Sequence, residues 1–249
     1  NSYAGVTNKL LAQKAHKICV AYEGMERFFS KDKIILTGNP VRQGLRNATI
    51  SKEEAVRSFG LDPEKKTVLI LGGSLGARSI NQCMIENLEK IKSSGVQFIW
   101  QTGKIYFENA ISAIAEAGEL PMLHVTDFIS DMATAYQAAD LIISRAGAGS
   151  ISEFCLLGKP VILVPSPNVA EDHQTKNALA LVNKNAALYV KDENAKDMLI
   201  NKAIETVSQM DLLENLSKNI AKLAFTDSAN VIAAEVIKAA KKYKNEHGC

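Results

Sequence analysis

Short apolar runs alternate with amphipathic stretches along most of the chain. From residue 67 onward, six apolar runs bounded by turn residues are separated by segments with helical spacing. Runs of this length predict buried strands, and their alternation with helices predicts an α/β fold, a doubly wound parallel sheet with right-handed crossovers. The predicted strands are 68–71, 98–100, 123–125, 141–143, 161–164 and 187–190, and only helical patterns follow, at 195–209, 212–224 and 228–243.

The first 42 residues follow a different pattern. One helical stretch and two short apolar runs lead into a turn at 38–42, where Pro40 predicts a hinge. So few elements bury too little apolar surface to fold alone. We therefore expect the end of a preceding domain at 1–42, a larger domain at 43–249, and a missing segment upstream of Asn1.

Composition places the chain among globular proteins. Its 249 residues are 47% hydrophobic and 22% charged, enough for one large core or two smaller ones. No apolar run approaches the roughly 20 residues that span a bilayer, and the N-terminus does not resemble a signal peptide. The four cysteines are scattered without metal-ligand spacing, so we expect a reducing cytoplasm and neither a zinc site nor a disulfide framework.

Charge is close to balanced over the whole chain but not along it. The formal net charge is +2, yet residues 1–42 hold seven Lys or Arg against three acidic residues, a local charge of +4. Such an excess could face phosphates or an anionic membrane surface, or could simply be a solvated helix face. No nucleic-acid partner is predicted.

The first candidate site follows the first strand of the predicted sheet, where Gly72, Gly73 and Ser74 begin a glycine-rich loop. Glycines let backbone N–H groups approach an anion, and a following helix N-terminus adds partial positive charge, so the loop could cradle a phosphate. The alternative is a tight turn that needs positive φ. Because the loop is not G-x-G-x-x-G and Gln-Thr-Gly at 101–103 replaces the acidic residue of dinucleotide enzymes, nicotinamide and flavin cofactors are disfavoured, and no cofactor is predicted.

The second candidate is Glu153, which we expect in or just before the first turn of the helix after Gly149. A carboxylate there could accept two hydrogen bonds from the vicinal diol of a ribose, or could merely interact favourably with the helix dipole. Arg145, at the tip of the preceding strand, could pair with a phosphate or with a neighbouring carboxylate.

The third candidate is the polar stretch from Glu171 to Asn177. His173, Gln174 and Asn177 fall within one helical turn, with the last two on one face, so they could bind sugar hydroxyls or simply face water. No D-x-D pair occurs there, so no divalent metal is predicted. A bound diphosphate would then depend on helix N-termini and arginine.

Seven short motifs occur together: G-N-P-V-R from Gly38, G-G-S-L-G-A-R-S-I-N from Gly72, Q-T-G-K from Gln101, F-I-S-D-M from Phe128, S-R-A-G-A-G-S-I-S-E from Ser144, G-K-P from Gly158 and A-E-D-H-Q-T-K-N-A from Ala170. Their order and spacing resemble those of the MurG family over nearly the whole chain. That bacterial family transfers N-acetylglucosamine from UDP-N-acetylglucosamine to lipid I, giving lipid II in peptidoglycan synthesis.

The resemblance implies a GT-B fold, in which two Rossmann-like domains face a cleft. This chain would be the C-terminal domain, which binds the donor, preceded by the tail of the N-terminal domain. It also implies contact with lipid I through the missing domain, and peripheral association with the cytoplasmic face of the bacterial inner membrane.

The resemblance further implies a set of substrate-binding residues. Arg42 and the loop at 72–74 would lie near the diphosphate, Ile129 would meet uracil through its backbone, and Glu153 would hold the ribose. His173, where many family members have glutamine, would lie with Gln174 beside the sugar. The full set is Asn1, Arg42, Gly72, Gly73, Ser74, Phe128, Ile129, Arg145, Glu153, His173, Gln174 and Asn177.

The family inverts the anomeric centre, and its acceptor-binding loops would lie upstream of Asn1. No catalytic base is therefore predicted here, and we expect the fragment to bind donor weakly and not to turn over. Two alternatives stay open: a donor-binding subunit that works with a separate acceptor-binding chain, and a UDP-sugar epimerase on the same double-Rossmann plan. A pure interaction module would leave the glycine loop and Glu153 unexplained.

Overall fold

The computed structural model describes residues 2–46, 50–73 and 76–247. Its helices are α1 (Val6–Ala12), α2 (Lys52–Ser58), α3 (Arg78–Glu86), α4 (Leu88–Ser93), α5 (Phe107–Ala117), α6 (Met132–Ala138), α7 (Ala148–Leu157), α8 (His173–Val182), α9 (Ala195–Val207), α10 (Met210–Ala221) and α11 (Ser228–His247). Its strands are β1 (Ile18–Val20), β2 (Ile34–Leu36), β3 (Thr67–Leu71), β4 (Gln97–Gln101), β5 (Leu123–Thr126), β6 (Leu141–Ser144), β7 (Val161–Leu163) and β8 (Leu188–Tyr189).

Six strands form one parallel sheet in the order β5-β4-β3-β6-β7-β8. Counted from β3, this is the order 3-2-1-4-5-6 of a doubly wound sheet, so the predicted fold class is confirmed. The strand order reverses between β3 and β6, where Val68 pairs with Leu141. Ligands of such sheets bind outside the carboxyl ends of the strands at this reversal.

Helices cover both faces of the sheet because alternate strand residues point to opposite sides. Val68 and Ile70 are buried against α3, α4, α5 and α9, whereas Leu69 and Leu71 are buried against α2, α6, α7 and α8. Ser51 caps α2 through the predicted capping box with Glu54. Within the described part of the chain, no helix combines the length and apolar character needed to cross a membrane.

Residues 1–42 contribute a separate small sheet and their own apolar cluster. Strands β1 and β2 pair in parallel, and a cluster that includes Val20, Met25 and Phe29 packs beside them. Several contacts join the described part of this segment to the larger sheet domain, including an ion pair between Glu23 and Lys184. Ser2 donates from its backbone nitrogen to Asn177 Oδ1 at 2.9 Å, and Asn39 Nδ2 donates to Ser152 Oγ at 3.0 Å.

A cluster of charged side chains lies at the amino ends of β3 and β6, at the edge of the sheet opposite the carboxyl ends of the strands. Asp140 accepts the N–H of Thr67 at 2.9 Å and pairs with Lys52 and Lys66. Lys159 Nζ donates to the carbonyl of Ala139 at 2.9 Å. Burial lowers the pKa of Lys159 from 10.5 to about 8, an effect that Asp140 opposes and Lys52 reinforces.

We expect this lysine to make stability depend on pH in the alkaline range. Between pH 8 and 10.5 the unfolded chain holds a proton that folded Lys159 has released, so the free energy of unfolding should rise with pH, by about 2 kcal/mol after screening by water. Urea unfolding of the wild type and of Lys159→Gln across this range measures the effect, because other titrating groups are common to both. A difference between the two proteins that does not change with pH would contradict the expectation.

Candidate functional site

The glycine loop after β3 is locked against the loop after β4. The N–H of Gly72 donates to Gln101 O at 2.9 Å, and a Cβ at Gly72 would lie only 2.8 Å from that oxygen. Gly73 and Gly76 adopt φ of +73° and +81°, which disfavour any residue with a Cβ. Gly73 and Gly76 therefore occupy turn positions that need positive φ, whereas Gly72 is required for close packing of the two loops. Ser74 lies outside the described residues.

The loop is also anchored from behind by a buried polar pair. Asn81 in α3 is fully buried, donates to Thr102 O at 2.8 Å and accepts from Trp100 Nε1 at 2.9 Å. These bonds tie the helix after the glycine loop to the end of β4. As a result the loop and the start of α3 form one fixed edge of the crevice.

Two helices begin at the strand reversal. Helix α3 has Ala77 at its N-cap position and α7 has Gly147, and neither residue supplies a side-chain hydrogen bond to the helix. The first amides of such helices carry partial positive charge and are suited to an anion. The two N-termini lie after β3 and β6, on either side of the reversal.

Glu153 occupies a later position in its helix than predicted. Helix α7 begins at Ala148, with its first internal bond from the Ile151 amide to Gly147 O at 3.0 Å, so Glu153 lies in the second turn. The prediction of the first turn was wrong because Gly149 is accommodated inside the helix instead of preceding it. Since the dipole effect falls off beyond the first turn, the dipole alternative for Glu153 loses its physical basis.

A tyrosine that the sequence did not single out holds Glu153. The hydroxyl of Tyr136 donates to Glu153 Oε2 at 2.7 Å, and its ring packs edge-on against Phe154 with 6.0 Å between centroids. Burial raises the pKa of Tyr136, the Glu153 carboxylate raises it further, and the charge of Arg42 partly opposes both. Tyr136 is therefore a hydrogen-bond donor at neutral pH. Tyr136 resembles any apolar position of an amphipathic helix, so no local signal could have found it.

Arg145 is engaged by protein groups on several sides. Its guanidinium pairs with Asp192 and donates to Val164 O at 3.1 Å and Ser79 Oγ at 3.0 Å. The sequence suggested either a phosphate or a neighbouring carboxylate as the partner of Arg145, and the structure contains the carboxylate, that of Asp192. The side chain joins the loops after β6, β7 and β8 to the start of α3. Direct contact of Arg145 with a substrate stays a prediction.

The start of α8 connects neighbouring loops. Gln174 Oε1 accepts the N–H groups of Ala146 at 3.2 Å and Ser166 at 2.9 Å. Asn177 is fully buried, accepts from Ser2 and donates from Nδ2 to Ala146 O at 3.1 Å. The predicted shared face of Gln174 and Asn177 is thus confirmed, but the water-facing alternative is wrong for Asn177. Its contacts with Ser2 and Ala146 hold the segment together, and a contact with sugar stays a prediction.

The backbone just before His173 is strained. Glu171 and Asp172 have φ of 56° and 51°, left-handed values that residues with a Cβ seldom adopt. His173 is the first residue of α8 and is partly buried. Strain of this kind is frequent near binding sites.

The loop after β5 places an exposed ring beside a buried aliphatic side chain. Phe128 is 54% exposed, whereas the Ile129 side chain is 6% exposed and packs in the core. Thr126 Oγ1 donates to Phe128 O at 3.1 Å, which fixes the turn. The Ile129 side chain is therefore buried in the core while Phe128 presents an exposed ring, and contact of the Ile129 backbone with a ligand stays a prediction. Asn1, the remaining predicted residue, lies outside the described residues.

A separate cavity of about 750 Å³ lies between residues 1–42 and helices α7 and α8, lined in part by Tyr22, Cys155 and Phe225. Of the predicted binding residues that the structure describes, none lines it. The candidate site is instead the carboxyl edge of the sheet at the strand reversal, where the loop after β3 and helix α7 after β6 lie on either side.

Comparison with known proteins gives one family match and many relatives. The sequence profile described as "Glycosyltransferase family 28 C-terminal domain" matches residues 67–232. A protein of Phocaeicola vulgatus named UDP-N-acetylglucosamine--N-acetylmuramyl-(pentapeptide) pyrophosphoryl-undecaprenol N-acetylglucosamine transferase is 79% identical over 248 residues, which is 100% of this chain and 66% of that protein. The chain thus spans slightly less than two thirds of that relative.

Solved structures agree with the fold. A crystal structure of Acinetobacter baumannii MurG is 26% identical with a TM-score of 0.73, covering 96% of this chain and 65% of that one. A UDP-N-acetylglucosamine 2-epimerase structure is 15% identical with a TM-score of 0.63, covering 94% of this chain and 60% of that one. At such low identity, the second likeness concerns the fold alone.

Proposed function

The chain belongs to the family described as glycosyltransferase family 28 C-terminal domain, and we propose that it carries the donor-binding part of an inverting enzyme. In this proposal, the whole enzyme transfers N-acetylglucosamine from UDP-N-acetylglucosamine to lipid I, forming lipid II. The observation that carries the proposal is the placement of Glu153 and the glycine loop on opposite sides of the strand reversal. A diphosphate at the loop and a ribose at the carboxylate are neighbouring parts of one nucleotide. The names of the most similar relatives support the choice of sugar and acceptor.

In this proposal, each part of the donor contacts its own set of protein groups. The diphosphate lies against the N-termini of α3 and α7, with Arg42 and Ser74 as further donors. Uracil meets the Ile129 backbone beside the Phe128 ring, and the ribose hydroxyls donate to Glu153. The acetylated sugar lies near the start of α8, where Gln174, His173 and Asn177 are placed, and Asn1 stays a predicted substrate contact.

The chemistry requires positive potential where the leaving group develops charge. When the muramyl hydroxyl attacks the anomeric carbon, the bond to UDP breaks and negative charge grows on the diphosphate. In this proposal the two helix N-termini and Arg42 stabilise that charge without a metal. We propose that residues 1–42 form the end of an acceptor-side domain and that residues 43–249 form the donor-side domain. The general base would belong to the acceptor-side domain. Lipid I and the cytoplasmic face of the inner membrane would be met by that acceptor-side domain.

The epimerase alternative is not proposed, because its supporting likeness is confined to the fold. No observation favours a separate donor-binding subunit over a two-domain enzyme.

Calorimetric titration of this chain with UDP, UDP-N-acetylglucosamine and NAD tests the proposal. We expect UDP and its sugar derivative to bind and NAD not to bind. Glu153→Ala should weaken UDP binding by about 10- to 100-fold, since it removes a charged hydrogen-bond acceptor. Glu116→Ala, which removes an exposed glutamate of α5 far from the crevice, is the matched control and should leave affinity unchanged. Equal binding of UDP by wild type and Glu153→Ala would show that the ribose lies elsewhere, and equal binding of NAD and UDP would argue against the proposed donor.

A further inference from the structure

Tyr136 places a polar hydroxyl inside an otherwise apolar part of the core. The residue is 2% exposed and lies in α6, a helix that contributes none of the predicted binding residues. Its ring is held against Phe154, and its hydroxyl reaches Glu153 Oε2 at 2.7 Å. Phe154 and Glu153 are adjacent in α7, so one tyrosine fixes both the apolar and the acidic side chain of that turn.

A glutamate on a helix surface normally samples several rotamers, and ordering it on binding costs entropy. A hydrogen bond from a buried, immobile donor removes that cost before a ligand arrives. A carboxylate has about four acceptor positions on its two oxygens. With Oε2 engaged by Tyr136, Oε1 and the outer face of Oε2 remain in a fixed orientation, which is the requirement for recognising two adjacent hydroxyls.

The surroundings give this contact a further role. Burial and the Glu153 carboxylate raise the pKa of Tyr136, so the hydroxyl keeps its proton throughout the neutral range. The charge of Arg42 only partly opposes this rise in the pKa. The protonated hydroxyl therefore holds the carboxylate through its 2.7 Å hydrogen bond to Oε2.

We propose that Tyr136 is a positioning residue that makes Glu153 selective for nucleoside diphosphates with an intact ribose diol. The proposal rests on the proposed function, because it takes Glu153 as the ribose acceptor. It goes further in assigning specificity to a residue that does not itself touch the nucleotide.

The test compares UDP with 2′-deoxyuridine diphosphate on this chain by calorimetry, in the wild type and in Tyr136→Phe. We expect the wild type to prefer UDP by about tenfold or more, as a charged hydrogen bond to a hydroxyl provides. Tyr136→Phe should reduce that preference by about fivefold while leaving the affinity for the deoxy nucleotide nearly unchanged, because only the diol uses the oriented carboxylate. Retained binding of the deoxy nucleotide also shows that the variant is folded.

Tyr22→Phe is the matched control. Its hydroxyl is buried without a hydrogen-bond partner among the described residues, and it lines the separate cavity instead of the crevice. This variant should keep the wild-type preference. In a Glu153→Gln background, Tyr136→Phe should have no further effect on the preference, since the two residues act as a unit.

Three results would overturn the proposal, and they can be told apart. A parallel loss of both nucleotides in Tyr136→Phe would assign the tyrosine a general structural role. A preference for UDP that is unchanged in Tyr136→Phe would show that Glu153 needs no positioning. A wild type that binds neither nucleotide would instead count against the proposed function, and this inference would fail with it.

Discussion

Gly103→Ala is expected to lower the free energy of unfolding by about 3–5 kcal/mol and to abolish nucleotide binding. Gly103 has φ of +77°, where an alanine costs about 1–2 kcal/mol by itself. In addition, a Cβ there would meet the Gly76 amide nitrogen and lie 2.7 Å from Gly73 O. These are backbone atoms of the glycine loop, which cannot move aside as a flexible side chain would. The substitution should therefore displace the loop that is proposed to hold the diphosphate.

Gly95→Ala separates the two causes. Gly95 has a similar φ of +71°, but no atom lies within 4 Å of an added Cβ. Urea unfolding of both variants should show a loss of only about 1–2 kcal/mol at Gly95. Equal losses at the two positions would mean that backbone conformation alone matters and that the loops after β3 and β4 are not locked together.

Arg145→Met is expected to cost about 3 kcal/mol of stability, because it leaves Asp192 without its cation in a largely buried place. The two side chains are 20% and 23% exposed, so partial hydration keeps the cost at the lower end of the range for buried pairs. The carbonyl of Val164 and the hydroxyl of Ser79 lose a donor as well. The loops after β6, β7 and β8 should become less firmly held, and UDP affinity should fall as a consequence.

The measurement is a double-mutant cycle with Asp192→Asn, followed by urea unfolding and by UDP titration. If Arg145 acts through Asp192, the double variant should be more stable than the sum of the single losses predicts. The opposite outcome is equally clear. A variant Arg145→Met with stability within about 0.5 kcal/mol of the wild type, but with UDP binding lost, would identify a guanidinium that contacts the ligand directly.

The strands could be predicted because burial between two helical layers demands continuous apolar runs. The run 161–164 is observed as Val161–Leu163, and the run 141–143 as Leu141–Ser144. The start of α7 was missed for the opposite reason. A glycine can occupy a helix interior at a modest cost in stability, so Gly149 did not mark the boundary of the helix.

The candidate site was predictable in part. The glycine loop and Glu153 each have a local signal, either a glycine cluster after a strand or an acid near a helix start. The partners that hold them have none. Tyr136 and Glu153 are 17 residues apart, and Arg145 and Asp192 are 47 residues apart. No spacing rule connects side chains over such distances, because their meeting depends on which helices and strands become neighbours.

The amino-acid sequence by itself determined the doubly wound sheet, the positions of its strands and the glycine-rich loop after the first of them, because side-chain periodicity and glycine's freedom act within a few residues. Only the tertiary structure decided which carboxylate Arg145 pairs with, that Tyr136 holds Glu153, and that Asn177 is buried beneath Ser2. These outcomes depend on strand order and helix packing, which bring distant polar groups together in an interior where each must find a partner.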